Sequence, residues 1–363
     1  MRPHADAAAG SDARAERAAI ETVRAGGTAI DALVAGFLAA AAHDPNVLCA
    51  PVVALFGGVG SSTRCLDGRA LQPGRGAARP RGFAPDVAPP PAASAAVPRS
   101  FALLAALHAF GARRSLTVLG REAAAAARQA GAPERATLIA SLGRHGGGAL
   151  AVSVVQRTLL RAAGVAAGGL LGEADLAAAA PDDVAVEPVR LPGGLEAAWV
   201  SAAPGSVPAA RSALVAPRIL VAADPRGQVG ALCYLPDPDG LPVPELEITL
   251  PRIAHPVRRS VRRVAPGTVL DLPAALAVLR RGGWFAALGA ACDRSFDRAA
   301  VTSLTVAPAG VEHPGAGAAS NGGDRAGLEA LATEVAARGV WLAASERRTA
   351  VALTVTREPA PRS

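Results

Sequence analysis

Along the chain, apolar and polar positions change rhythm once, near residue 184. Before that point the apolar residues recur at helical spacing. Residues 15–24 place Ala19, Ile20 and Val23 on one face and stop at Ala25-Gly26-Gly27, which reads as a glycine C-cap. Thr28 then suits an N-cap and Asp31 a first helical turn, opening a helix to Ala42 that is small and apolar all round and therefore buried. His43-Asp44-Pro45 ends it. Further helices are predicted over 100–110, 119–130, 134–142 and 150–163, with a short one opening at Gly172-Glu173.

After residue 184 the apolar runs shorten and become β-like, at 184–189, 196–200, 219–223, 229–234 and 245–250, then at 275–279, 284–288 and 301–306. The pair 219–223 and 229–234 is joined by Asp224-Pro225-Arg226-Gly227, a turn between two strands of strong β-formers. A Gly-rich break at 315–323 precedes a helix over 327–338 and closing strands over 340–344 and 350–355. One earlier strand, 52–56, leads through Gly57-Gly58-Val59-Gly60 into a second near 62–66. These glycines read as a hairpin turn; a phosphate loop would need a helix directly behind them. Residues 73–98 are rich in Pro, Ala, Gly and Arg and read as a long loop, and residues 1–12 as a frayed tail. Helices first and antiparallel strands later predict an α+β layered sandwich rather than an alternating βαβ fold.

Composition alters this picture little. Of 363 residues 51 % are hydrophobic and 18 % charged, as in globular chains. All 37 basic residues are arginine, which suits the coding bias of a GC-rich genome and discounts the net charge of +7 as a sign of nucleic-acid binding. Arg252, Arg258, Arg259, Arg262 and Arg263 cluster around His255 without interleaved aromatic residues, so a solvated loop is expected there. The cysteines Cys49, Cys65, Cys233 and Cys292 form no C-x-x-C pair, and the six histidines are scattered; no metal, cofactor or disulfide is expected. No signal peptide or membrane span is expected either, and the reading is cytoplasmic.

Several short motifs occur in one known order. Arg24-Ala25-Gly26-Gly27-Thr28-Ala29-Ile30-Asp31-Ala32 resembles "ILxxGGNAVDAAVA" of the gamma-glutamyltranspeptidases. Cys65-Leu66-Asp67-Gly68-Arg69-Ala70-Leu71-Gln72-Pro73 resembles "xLDGRExAP", Ala96-Val97-Pro98-Arg99-Ser100 stands for "GVPGTV", and residues 168–188 are similar to "GGxxTxEDLAxYxxxxxxP". Residues 199–208 occupy the place of "PPPSSGG", and 218–234 fall on the nucleophile strand and its hairpin. The resemblance implies a four-layer αββα sandwich of the N-terminal-nucleophile hydrolase type. It implies one domain over 13–357, divided into a large-subunit-like part (13–216) and a small-subunit-like part (217–357). The helical segment that normally precedes the nucleophile is missing.

Family members cleave themselves before a threonine whose hydroxyl is the nucleophile and whose α-amine is the base. The corresponding position here is Pro217-Arg218, without a hydroxyl. The oxyanion loop maps to Gly289-Ala290-Ala291 followed by Cys292-Asp293, and the carboxylate-holding serine pair maps near Asp271. Arg69 matches the arginine that grips the α-carboxylate of a γ-glutamyl group; the residues alone also allow a strand-end arginine facing water. The expectation is a gamma-glutamyltranspeptidase-like protein without self-cleavage or peptidase activity, a binding or assembly component or one with a repurposed pocket. Its partners would be a small carboxylate or γ-glutamyl-like ligand, a protein, or a second copy. The alternative is an active enzyme of γ-glutamyl or amide transfer or hydrolysis with Cys233 or Ser206 as nucleophile, while Ser212 reads as structural.

Overall fold

The computed structural model describes residues 7–78, 82–203, 205–211, 217–302, 329, 333, 337, 339–346 and 349–356. Its centre is the hairpin of β8 (Arg218–Ala223) and β9 (Gln228–Tyr234), whose turn is closed by Asp224: the carboxylate accepts from the Arg226 and Gln228 amides at 2.8 and 3.3 Å. The hairpin sits inside a six-stranded sheet of order β1 (Ala8–Gly10), β8, β9, β2 (Val52–Gly58), β3 (Ser61–Gly68) and β4 (Asp182–Ala185). Every pairing in it is antiparallel.

A second antiparallel sheet runs β16 (Thr349–Thr356), β15 (Gly339–Glu346), β14 (Trp284–Ala290), β13 (Ala275–Arg281), β6 (Glu196–Trp199) and β5 (Val189–Arg190). The two sheets pack face to face through one continuous apolar core. Alternation along β8 shows how this works. Ile219 points at β14, where a Cβ added to Gly289 would lie 2.4 Å from the Ile219 Cγ2. Leu220 points the other way, onto Gly36 of the helical layer.

That layer is α1 (Ala13–Arg24), α2 (Ala29–His43), α3 (Ser100–Gly111), α4 (Leu116–Gln129) and α5 (Pro133–His145), with α6 (Ser153–Ala163) and α7 (Glu173–Ala177) beside it. Thr28 and Asp31 form a full capping box at the start of α2. The opposite face of the second sheet is covered in part by α8 (Arg298–Thr302), whose Ala300 and Val301 join a second core with Trp284 and Leu342. Two short pairs complete the fold: β10 (Leu241–Val243) with β11 (Ile248–Leu250), and β7 (Val207–Pro208) parallel to β12 (Leu270–Asp271).

Four expectations change, the first being the strand at 245–250: Pro244–Leu246 form a single 3-10 turn ended by Glu247 at φ 53, so that only Ile248–Leu250 pair as strand. Residues 8–10 are the edge strand β1 rather than a frayed tail, because their amides and carbonyls pair with 220–222 of β8. The glycine turn is shorter than expected: β2 continues to Gly58, and Val59-Gly60 alone reverses the chain. Val301 lies in a helix, not a strand, since Asp297 accepts from the Ala300 and Val301 amides and starts a helical turn. The expected glycine break at 315–323 and most of the 327–338 helix lie outside the described residues, although 329 and 333 are helical. No single described helix is long and apolar enough to cross a membrane.

Candidate functional site

A cluster of buried charge lies where β3 ends. Asp67 folds back on its own chain, accepting from the Arg69 amide at 2.9 Å, and so aims the Arg69 side chain between the sheets. Arg69 is 1 % exposed and every N–H of its guanidinium has an internal acceptor. Nε donates to both Asp67 oxygens at 3.1 and 3.0 Å, and Nη2 to Asp67 Oδ2 at 2.6 Å and to the Ser201 carbonyl at 3.2 Å. Nη1 donates to the Leu272 carbonyl at 3.3 Å and to Asp271 Oδ1 from β12. Burial alone would lower the Arg69 pKa; the hydrogen bonds and charge of Asp67, with the charge of Asp271, outweigh it and hold the pKa above its ordinary value.

A second buried arginine braces this pair. Arg99, at the start of α3, donates from Nε to the Arg69 carbonyl at 2.7 Å and from Nη1 to the Ala180 carbonyl and Asp182, both at 2.9 Å. Its Nη2 lies 3.6 Å from Asp67 Oδ1. In the sequence Arg99 stands only as part of the Ala96–Ser100 motif, with no role assigned, because it lies outside any charged run. The reading of Arg69 as a strand-end arginine facing water is overturned by its burial.

At the start of β8, Pro217 is half-buried and Arg218 is held by two carboxylates. Its Nη1 reaches Asp12 at 3.1 Å and its Nη2 reaches Asp44 at 2.8 Å. Asp12 caps α1 and Asp44 ends α2, so Arg218 ties both helices to the central strand. The hydroxyl at this point belongs to Ser11, which accepts from the Ile219 amide at 2.8 Å and binds the Ile219 carbonyl at 3.4 Å. Tyr234, the cross-strand partner of Arg218, is fully buried edge-on to Phe37 at 5.3 Å, and burial pushes its phenol pKa up.

Gly289 and Ala290 lie within β14, paired to Leu276 and Ala275 on one side and Trp341 and Val340 on the other. The expectation of a loop there is corrected: two flanking strands leave those residues in a ladder. Ala291 follows the strand, is buried, and donates to the Gly339 carbonyl at 3.0 Å. Asp293 is exposed. Cys233 is fully buried, its Sγ 4.0 Å from the Pro273 carbonyl. Burial first, then the nearby Cys292, pushes its thiol pKa well above the ordinary 9.0. Ser206 is half-buried, its amide bonded to the Ala203 carbonyl at 3.0 Å. Ser212 lies outside the described residues. Among the described residues no three His, Cys, Asp or Glu side chains converge as a metal would require.

The structure thus brings Arg69 and Asp271 together and keeps Arg218 apart, on the far-end ion pairs of α1 and α2. Described residues line clefts elsewhere. One of about 420 Å³ lies between α1, α2 and α4, one of about 470 Å³ beside Phe83 and Leu170, one of about 160 Å³ between α4 and α5, and one of about 260 Å³ near Thr28 and Asp224. None of these four is lined by Arg69, Asp271, Arg218 or Gly289.

No protein-family model matches the chain, and no curated protein does. Solved structures do. A structure of LmbA2991 superposes with a TM-score of 0.65 at 14 % identity, covering 98 % of this chain and 100 % of that one. Cephalosporin acylase from Bacillus halodurans gives 0.56 at 14 % identity, over 76 % of this chain and 75 % of the acylase. The fold is that of the N-terminal-nucleophile hydrolases. Structures similar to this hydrolase fold also include gamma-glutamyltranspeptidase from Pseudomonas nitroreducens, with a TM-score of 0.42 at 18 % identity over 51 % of this chain and 68 % of that one.

Proposed function

We propose that this chain is a gamma-glutamyltranspeptidase-like protein that neither cleaves itself nor hydrolyses γ-glutamyl bonds, and that it serves as a binding or assembly component or through a repurposed pocket. The observation that carries the reading is the saturation of Arg69. A guanidinium has five N–H donors, and here Asp67, Asp271, Ser201 and Leu272 take them all. An incoming carboxylate would have to displace Asp271 before it could pair with the fork. The start of β8 supports the same reading, since Arg218 offers no nucleophile and is committed to two helix caps. The four free, buried cysteines favour a reducing compartment such as the cytoplasm.

Purified protein, incubated for days and run under denaturing conditions, should remain one chain of 36.1 kDa. It should release no chromophore from a γ-glutamyl anilide, and Arg218→Thr should gain neither property. Two fragments from the unaltered protein that meet at Pro217-Arg218 would overturn the proposal, as would turnover abolished by Arg69→Ala.

A further inference from the structure

The cleft of about 420 Å³ is a groove in the outer helical layer. α1 forms one wall with Arg14, Arg17, Ala18 and Glu21, spaced three or four positions apart and so on one face. α4 forms the other wall with Glu122, and Ala35 and Ala39 of α2 make the floor, where no side chain rises beyond a methyl group.

The charges on these walls are uncommitted. Arg14, Arg17, Glu21 and Glu122 are exposed, and among the described residues none of their side chains makes an ion pair. Arg17 and Glu21 stand one turn apart, but arginine before glutamate is the poorer order for pairing within a helix. The other ionisable groups in the groove add no free charge. Arg114 Nη2 donates to the Ala25 carbonyl at 2.5 Å. Burial, then the charges of Arg14 and Arg135, hold the His43 pKa below its ordinary 6.5 against the opposing pull of Asp12, so His43 is neutral at pH 7. Asp12 itself is paired with Arg218.

Two free cations and two free acids give a ligand of one sign little to gain. A surface with both signs in the reverse order does gain, and α1 is such a surface. When two copies of α1 lie antiparallel about a two-fold axis at the level of Ala19, Arg17 of each falls opposite Glu21 of the other. A parallel arrangement would set like charge on like. Arg14 falls opposite Arg24, a like-charged match that keeps the contact weak. The walls, 12 and 14 residues long, span about 18 and 21 Å and cover on the order of 400 Å² per copy. A stable interface needs about twice that area, so the association is reversible.

We infer that this groove receives a second copy of the chain, α1 antiparallel to α1, in a weak two-fold dimer held by an Arg17–Glu21 contact made twice. This names a partner for the assembly role proposed above and rests on that role. Sedimentation reads association alone, so its failure leaves the cleavage and turnover tests standing.

The test is sedimentation velocity of the full chain from about 5 to about 500 µM in about 50 mM salt, where exposed ion pairs are little screened. The mean mass should climb from 36.1 kDa towards twice that value as concentration rises, and the climb should shrink in about 0.5 M salt. Arg17→Glu alone and Glu21→Arg alone each set like charges opposite one another, and each should weaken association about tenfold. Mixed in equal amounts, the two variants restore both opposite-charge contacts, and the mixture should associate as the unaltered chain does. Both positions are exposed, so both variants should melt with the parent. A mass fixed at 36.1 kDa, association unchanged in both variants, or a mixture no heavier than the variants alone would sink the inference.

Discussion

Replacing Arg69 with alanine should destabilise the protein more than any other single change in its charged cluster. The substitution removes a guanidinium that is 1 % exposed and leaves Asp67, itself buried, with Arg99 Nη2 at 3.6 Å as its remaining cation. Breaking a buried ion pair by deleting one partner costs about 3–5 kcal/mol, because the surviving charge stays out of water. Unfolding entropy near 60 °C is roughly 2.1 cal/mol/K per residue, which over 363 residues converts that loss into a fall in Tm of about 4–7 °C. Asp271→Asn removes a charge that is 31 % exposed and so sheds much of its cost to solvent; about 1 kcal/mol, or about 1–2 °C, is expected. Differential scanning calorimetry of the unaltered protein, Arg69→Ala, Asp67→Asn, Asp271→Asn and the Arg69→Ala/Asp67→Asn pair checks the order. The double variant should lose less than the two singles together, with a coupling of about 0.5–3 kcal/mol, since both singles break the same bonds. An Arg69→Ala protein that melts within 1 °C of the parent, or one more stable than Asp271→Asn, would refute the view that Arg69 is a saturated internal ion pair.

Two further outcomes follow from the core. Burial pushes the Cys49 and Cys65 thiols from 9.0 up to about 12, so both stay protonated in the folded chain at pH values where the unfolded chain ionises them. Their stabilising contribution is complete below pH 9 and is lost as pH climbs towards 12, by about 1 kcal/mol per thiol at pH 10; urea midpoints at pH 8 and 10 should show that loss, and Cys49→Ala should shrink it. Separately, Gly289→Ala should cost about 1–3 kcal/mol because its methyl would meet Ile219 Cγ2 at 2.4 Å. Ile219→Ala in the same chain should recover part of that loss in a thermal melt, and an unchanged Tm in Gly289→Ala would show that the sheets separate freely.

Much of the architecture was legible because its signals are local. The turn at 224–227 announces its hairpin through Asp, Pro and Gly between two β-forming runs, and the capping box of α2 needs only Thr28 and Asp31, three residues apart. β1 was invisible for the opposite reason. Ala8-Ala9-Gly10 carries no strand signal of its own and is a strand only because the edge of β8 supplies partners from 220–222. Val301 shows the same override in reverse, a β-branched residue drawn into a helical turn by the Asp297 cap.

The candidate site divides along the same line. Asp67-Gly68-Arg69 marked itself as a motif, and the absence of a hydroxyl at Pro217-Arg218 could be read directly. That Asp271 would close on Arg69 could not, since 202 positions separate them and it is the folded backbone that brings them together, 269–270 pairing with 70–71 so that the Leu270 amide donates to the Ala70 carbonyl at 2.9 Å. The sequence by itself determined which residues could carry charge and which segments could be strands or helices, because those depend on side-chain chemistry and neighbours a few positions away. Tertiary structure alone decided that the arginine fork is filled from within, because whether a buried cation faces a ligand or its own chain depends on which distant carboxylate the folded sheets place within hydrogen-bond reach.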